Sequence, residues 1–176
     1  MIMEHIRTLD QLMAWYLPGL LETEKITLST LESAVYPENA AGLQKVIDSA
    51  DMLCRRHIEE LRKVIHEFSS VMMPQRSSFG INGLTLDFNE LIGRIDDRDT
   101  ANAAIIVFMQ TVCHHKISAY GTLSSYARIL GKEHIAARLH HMLVEEKELD
   151  QALNKLAEQN INLHAISRQV SPHVGE

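Results

Sequence analysis

The chain has 176 residues and a net charge of −6, enough for one domain with a real core and of the wrong sign for binding nucleic acid or anionic lipid. Hydrophobic residues make up 45% and charged residues 23%, ordinary proportions for a packed protein. No apolar run reaches the roughly 18 residues that mark a transmembrane helix.

The opening Met-Ile-Met-Glu-His lacks the basic region and apolar core of a signal peptide, so the expected compartment is the cytoplasm. Aromatic residues are only 5%, and β-branched runs of period two are hard to find. An all-α fold is therefore expected. Cys54 and Cys113 both fall within helical stretches, which argues against a disulfide framework and for small buried apolar roles.

In chain order, Thr8 or Asp10 can cap a first helix running to about Val35, with the stripe Leu12, Met13, Tyr16, Leu17, Leu20, Leu28, Leu31 and Val35. Pro18-Gly19 should kink it or divide off its first two turns. Asn39 caps a second helix, about Ala41 to Ser69, ended by Met-Met-Pro at 72–74. Residues 74–82 read as loop. A shorter amphipathic segment from Leu84 to Ile95 places Leu84, Phe88, Leu91, Ile92 and Ile95 on one side, as a crossover helix would. Asp-Asp-Arg-Asp-Thr at 96–100 offers caps for a third long helix ending at Leu130, where Gly131 suits a left-handed C-cap. A fourth long helix covers about Glu133 to Gln159 with a stop at Asn160, and a flexible tail occupies 167–176. The expected domain is 1–166, a ferritin-like four-helix bundle with the short crossover helix between its second and third long helices.

Each long helix carries one polar residue on its apolar stripe near mid-helix: Glu24, His57, Lys116 and Glu146. Cys113 lies one turn before Lys116 and Tyr120 one turn after it. Four such interruptions at one level of a bundle should meet, and burial of any one alone would cost several kcal/mol. They are expected to be paired or to hold a ligand. Cys54-x-x-His57 with Cys113 offers a second donor set, suited to zinc, though nothing fixes a fourth ligand. Glycine-rich phosphate loops, Gly-x-Ser-x-Gly and His-Glu-x-x-His are absent, so hydrolase and nucleotide readings have no support.

Four pieces together resemble the YciE/YciF-like family of bacterial stress-associated, ferritin-like proteins. They are Glu24-Lys25, His57-Ile-Glu-Glu-Leu, Ile117-Ser-Ala-Tyr-Gly-Thr-Leu and Glu145-Glu-Lys-Glu-Leu-Asp150. The resemblance spans about residues 8–159. It implies a bundle that dimerises and can carry a dinuclear metal site. Glu24 matches the first-helix glutamate, Glu145 or Glu146 the fourth-helix pair, and Asp150 is retained. The family's second-helix His-x-x-Glu falls on Ala50 and Leu53 without a gap, or on His57 and Glu60 with one of seven residues; the ungapped reading is preferred. The third-helix Glu-x-x-Glu falls on Cys113 and Lys116.

A protonated lysine repels a divalent cation, so Lys116 is expected to replace the metal as the cation facing Glu24 and Glu146. The expected site is thus a core polar cluster of Glu24, His57, Cys113, Lys116, Glu146 and Asp150, without cofactor. The expected protein is a homodimeric, non-enzymatic structural or interaction protein that meets an unidentified protein partner. The alternative is an iron or manganese di-metal protein with oxidase or peroxidase-like activity on Glu24, His57, Glu145, Glu146 and Asp150. Zinc is the lesser cofactor alternative.

Overall fold

The computed structural model describes residues 5–33, 41–68 and 77–167. Among these residues there is no strand. The elements are α1 (Leu9–Ser33), α2 (Ala41–Phe68), α3 (Phe79–Ile92), α4 (Arg98–Ile129) and α5 (Glu133–Leu156). A π-helical segment, Ala157–Ile161, then leads into α6 (Asn162–Ser167). α1 packs on α2 and α4 on α5; the two pairs meet through α2 with α5 and α1 with α4, while α3 crosses over against α1 and α4. The fold is the ferritin-like four-helix bundle with a crossover helix.

Local chemistry sets the helix ends. Thr8 Oγ1 accepts from the Gln11 N–H at 3.2 Å, and Asp97 Oδ2 accepts from the Thr100 N–H at 2.8 Å, each satisfying an amide that has no partner inside its helix. Gly131 has φ +70°, which glycine adopts without a Cβ penalty. The turn it makes lets the Lys132 N–H reach back to Ala127 O at 2.8 Å, closing α4 and reversing the chain into α5.

Buried positions follow three- and four-residue steps on every long helix: Met13, Leu17, Leu20, Glu24, Thr27 and Leu31 on α1; Leu43, Ile47, Ala50, Cys54, His57, Leu61, Val64 and Phe68 on α2. On α4 the row is Ile105, Met109, Val112, Lys116, Tyr120, Leu123 and Ala127, and on α5 it is Ile135, Leu139, Met142, Glu146, Leu149 and Leu153. Each fully buried Leu or Ile in these rows contributes about 1.5–3 kcal/mol. The apolar residues form two separate clusters, one around Leu17, Leu61, Leu123 and Leu139, the other around Ile47, Ile105, Phe108 and Leu153. The four mid-helix polar residues lie in sequence between them on all four helices.

Several boundaries depart from expectation. α1 runs through Pro18–Gly19 undivided, because apolar packing of Met13, Leu17 and Leu20 on one continuous face outweighs the hydrogen bond lost at proline. Tyr16, assigned to the stripe, is 48% exposed, and Thr23, Thr27 and Thr30 are buried instead. Their hydroxyls bond to the backbone one turn back, at 3.0, 2.8 and 2.8 Å, so burial leaves no donor unpaired.

α3 starts at Phe79 and not Leu84, and ends at Ile92 and not Ile95; residues 79–82 are therefore helix and not loop. Its inward row is Ile81, Thr85, Phe88 and Ile92, anchored by Phe88 stacked on Phe108 at 4.4 Å between ring centroids. Leu91, expected inside, is 44% exposed. At the other end Asn160 does not stop the chain. The wider π turn places both Ala157 and Ile161 against the core, and helix resumes after it. The expected end of α1 at Val35, the cap at Asn39, the Met-Met-Pro stop and the tail beyond Ser167 lie outside the described residues.

Candidate functional site

The four stripe positions meet between the two apolar clusters. Lys116 Nζ lies 3.1 Å from Glu24 Oε2 and 2.6 Å from Glu146 Oε1. His57 Nδ1 lies 3.2 Å from Glu24 Oε1 and 3.3 Å from Glu146 Oε1. The Tyr120 hydroxyl donates to Glu24 Oε1 at 2.6 Å and its ring meets the His57 ring edge-on, 5.4 Å between centroids. Lys116 is 1% exposed, and Glu24, His57, Tyr120 and Glu146 are 0%. Two carboxylates thus face one ammonium and one imidazole with no access to water.

Glu24 is the best satisfied of them, with both oxygens partnered. Burial alone would raise its pKa; Lys116, then His57 and Tyr120, outweigh burial and hold it at about 2. Burial likewise disfavours charge on His57, yet the adjacent carboxylates of Glu146 and Glu24 lift it to about 9. Lys116 is driven well above its ordinary value, since the acidic groups around it overcome desolvation. The layer is therefore ionised at neutral pH: Lys116 and His57 positive, Glu24 negative. Glu146 is the exception in bonding, for neither of its buried oxygens has a hydrogen bond of good geometry. The ammonium approaches Oε1 closely but off the hydrogen-bonding direction.

Both cysteines border this layer. Cys54 Sγ is 3.8 Å from Lys116 Nζ, and burial pushes the thiols of Cys54 and Cys113 above the usual range. The zinc set Cys54, His57 and Cys113 fits this geometry poorly. Both nitrogens of His57 are turned to carboxylates, and the ammonium beside Cys54 repels a cation. A void of about 10 Å³ among Cys54, Met109, Cys113 and Lys116 has room for about one water.

One level further out, Glu145 Oε2 lies 3.0 Å from His57 Nε2 and 3.2 Å from His141 Nδ1, while Arg56 donates to Oε1 at 2.5 Å. Arg56, His141 and Glu145 border a cleft of about 250 Å³ between α2 and α5, completed by Glu60, Arg138 and Met142. Asp150 stands apart from the buried layer, with Oδ1 3.2 Å from His114 Nε2 at the α4–α5 edge. So Glu24, His57, Lys116 and Glu146 come together, Cys113 borders them, Glu145 forms the outer wall and Asp150 does not join. Sequence reasoning left Tyr120 out of the site, although it sits on the same stripe one turn from Lys116. His141 is a surface residue, its side chain 74% exposed, four residues before Glu145 on the same face of α5.

A dinuclear metal site needs carboxylates bridging two ions. Here the ligand atoms of Glu24, His57 and Glu146 lie within 4.8 Å of one another, close enough to hold an ion. The ammonium of Lys116 already contacts two of those three residues, and Leu53, Cys113 and Lys116 supply no further carboxylate.

Residues 8–166 match the family model described as Domain of unknown function (DUF892). The chain belongs to this family. Protein YciF of Escherichia coli (strain K12) is 33% identical over 108 residues, which is 61% of this chain and 65% of that protein. The match thus spans just under two-thirds of the relative's length. The crystal structure of the E. coli stress protein YciF superposes with a TM-score of 0.79 at 28% identity, covering 89% of this chain and 99% of that one. YcfI of Rhodopseudomonas palustris, described as a candidate structural protein, gives a TM-score of 0.76 at 28% identity over 88% and 98% of the two chains. Among the described residues no helix is long and apolar enough to cross a membrane.

Proposed function

We propose that this chain is a non-enzymatic member of its family, in which the ammonium of Lys116 supplies the positive charge that metal ions would otherwise bring to the bundle centre. The carrying observation is the placement of Lys116 Nζ between Glu24 and Glu146 at 3.1 and 2.6 Å, with the lysine 1% exposed. On this view the layer is a structural element, and the protein works as a cytoplasmic, stress-associated structural or interaction protein. It acts as a homodimer with a protein partner and no cofactor. The names of its relatives, a stress protein and a candidate structural protein, agree with that role.

The second reading, an iron or manganese protein with oxidase or peroxidase-like activity, draws support from the convergence of Glu24, His57 and Glu146. Tag-free protein exposed to iron and manganese and then desalted separates the two. Traces of either metal are expected for the native chain and stoichiometric uptake for Lys116→Met, whose buried carboxylates would lack their cation. One or two equivalents in the native chain would overturn the proposal and make redox assays the next step.

A further inference from the structure

α3 packs one side against the bundle and leaves the other bare. Ile81 and Phe88 are buried, and the opposite side presents Phe79, Gly83 and Leu86 in steps of four and three. Phe79 is 79% exposed, more than any other large apolar residue among those described, and Leu86 is 69% exposed. A methyl group added at Gly83 would meet nothing within 4 Å. Charge is scarce here as well. Asp87 and Glu90 are the only charged residues of α3, and Glu90 is neutralised by Arg94 at 2.6 Å. The outer side of α2, by contrast, carries Arg55, Arg56, Glu59, Arg62 and Lys63. One exposed apolar residue needs no explanation, but two on a single row with no charge between them mark a contact surface.

We infer that two copies of this chain associate through antiparallel α3 helices, Phe79 of each copy packing on Leu86 of the other. This deepens the homodimer proposed above and rests on it. The row is complementary to itself. Phe79 and Leu86 lie about 10 Å apart along the helix, at about 1.5 Å per residue, and a two-fold axis midway between them exchanges the two. Both apolar contacts then form at once. In that register Asp87 and Glu90 fall opposite the residues before Phe79, so the carboxylates of the two copies stay apart. A different protein would find no charge pattern on this row to select it, whereas a second copy is selected by the symmetry of the row. A standard interface buries about 800 Å² per partner. The 14 residues of α3 supply part of this, and α1 and α4, on which α3 lies, supply the margins. Val107 of α4, 58% exposed, belongs to that margin, next to the Phe108 ring that stacks on Phe88.

The test is the oligomeric state of tag-free protein, by sedimentation equilibrium across a concentration series. The native chain should be a dimer. Phe79→Asp and Leu86→Asp change exposed positions and should leave the helix content unchanged by circular dichroism. Each should weaken association at least about tenfold, the loss expected when a residue at the centre of an interface is removed. Ile129→Asp, at a comparably exposed position (71%) at the end of α4, should leave the dimer intact. The register has its own readout. Phe79→Lys mixed with Leu86→Asp keeps one native contact and makes the other an ion pair, so each variant should pair with the other in preference to itself. A dimer that both aspartate substitutions leave unchanged overturns this inference while the homodimer stands. A monomer at every concentration overturns both. Weakened dimers whose lysine and aspartate variants do not pair on mixing overturn the antiparallel register, and with it the contact of Phe79 on Leu86.

Discussion

Lys116 and Tyr120, one turn apart on α4, hold opposite oxygens of the same buried carboxylate: Nζ is 3.1 Å from Glu24 Oε2 and the hydroxyl 2.6 Å from Oε1. This places one cation and one neutral donor on a single anion, while Glu146 shares the cation at 2.6 Å without a hydrogen bond of its own. Stability of the layer should depend unequally on these contacts.

Replacing Lys116 by Met removes the ammonium and leaves Glu24 and Glu146 with His57 alone. Breaking a buried ion pair from one side costs about 3–5 kcal/mol, to be read by urea denaturation in metal-free buffer. Lys116→Met with Glu146→Gln removes a cation and an anion together and should regain part of the loss. A loss below about 1 kcal/mol for Lys116→Met, the worth of an exposed pair, would mean that the ammonium reaches water.

Tyr120→Phe deletes only the donor to Glu24. Hydrogen bonds to charged groups contribute about 1.5–3 kcal/mol, and a loss of that size is expected with the helix content unchanged by far-UV circular dichroism. A neutral result would show that the bond is not formed in solution.

Stability should peak in mildly acidic solution. Glu24 is depressed from 4.5 to about 2, so its contribution is present above pH 4.5 and is lost as pH falls towards 2. His57 is raised from 6.5 to about 9, so its contribution is full below pH 6.5 and is lost as pH rises through 9. Each shift corresponds to on the order of 3 kcal/mol. Denaturation midpoints measured across pH should therefore form a plateau between 4.5 and 6.5, with an alkaline decline that disappears in His57→Gln. An alkaline decline that persists in the variant would assign it to another group.

Two glycines test the backbone separately from the polar layer. Gly131 has φ +70° with nothing within 4 Å of an added Cβ, so Gly131→Ala loses only the left-handed conformation, about 1–2 kcal/mol. Gly83, inside α3 and equally unobstructed, should gain about 0.5–1 kcal/mol as alanine. Thermal melts of both variants check the opposite signs.

Periodicity in the chain determined that four long helices bury one face each and that Glu24, His57, Lys116 and Glu146 interrupt those faces. Steps of three and four residues are a local property of the α-helix, and a charge on such a row must be partnered wherever the row is buried. The C-cap at Gly131 and the cap at Asp97 were legible for the same reason, since caps depend on neighbouring residues alone. The start of α3 at Phe79, the continuation past Asn160 and the burial of Thr23, Thr27 and Thr30 were not. Each depends on what another helix presents: Ser78 Oγ within 3.0 Å of Thr23 Oγ1, or a core surface that receives Ile161 through a π turn. Only the tertiary structure decided which polar partners meet. Sequence put Asp150 in the cluster. The packing of α5 on α2 sets Glu145 against His57, while Asp150 meets His114 of α4, because the neighbouring helix decides which counter-charge an ionised residue finds.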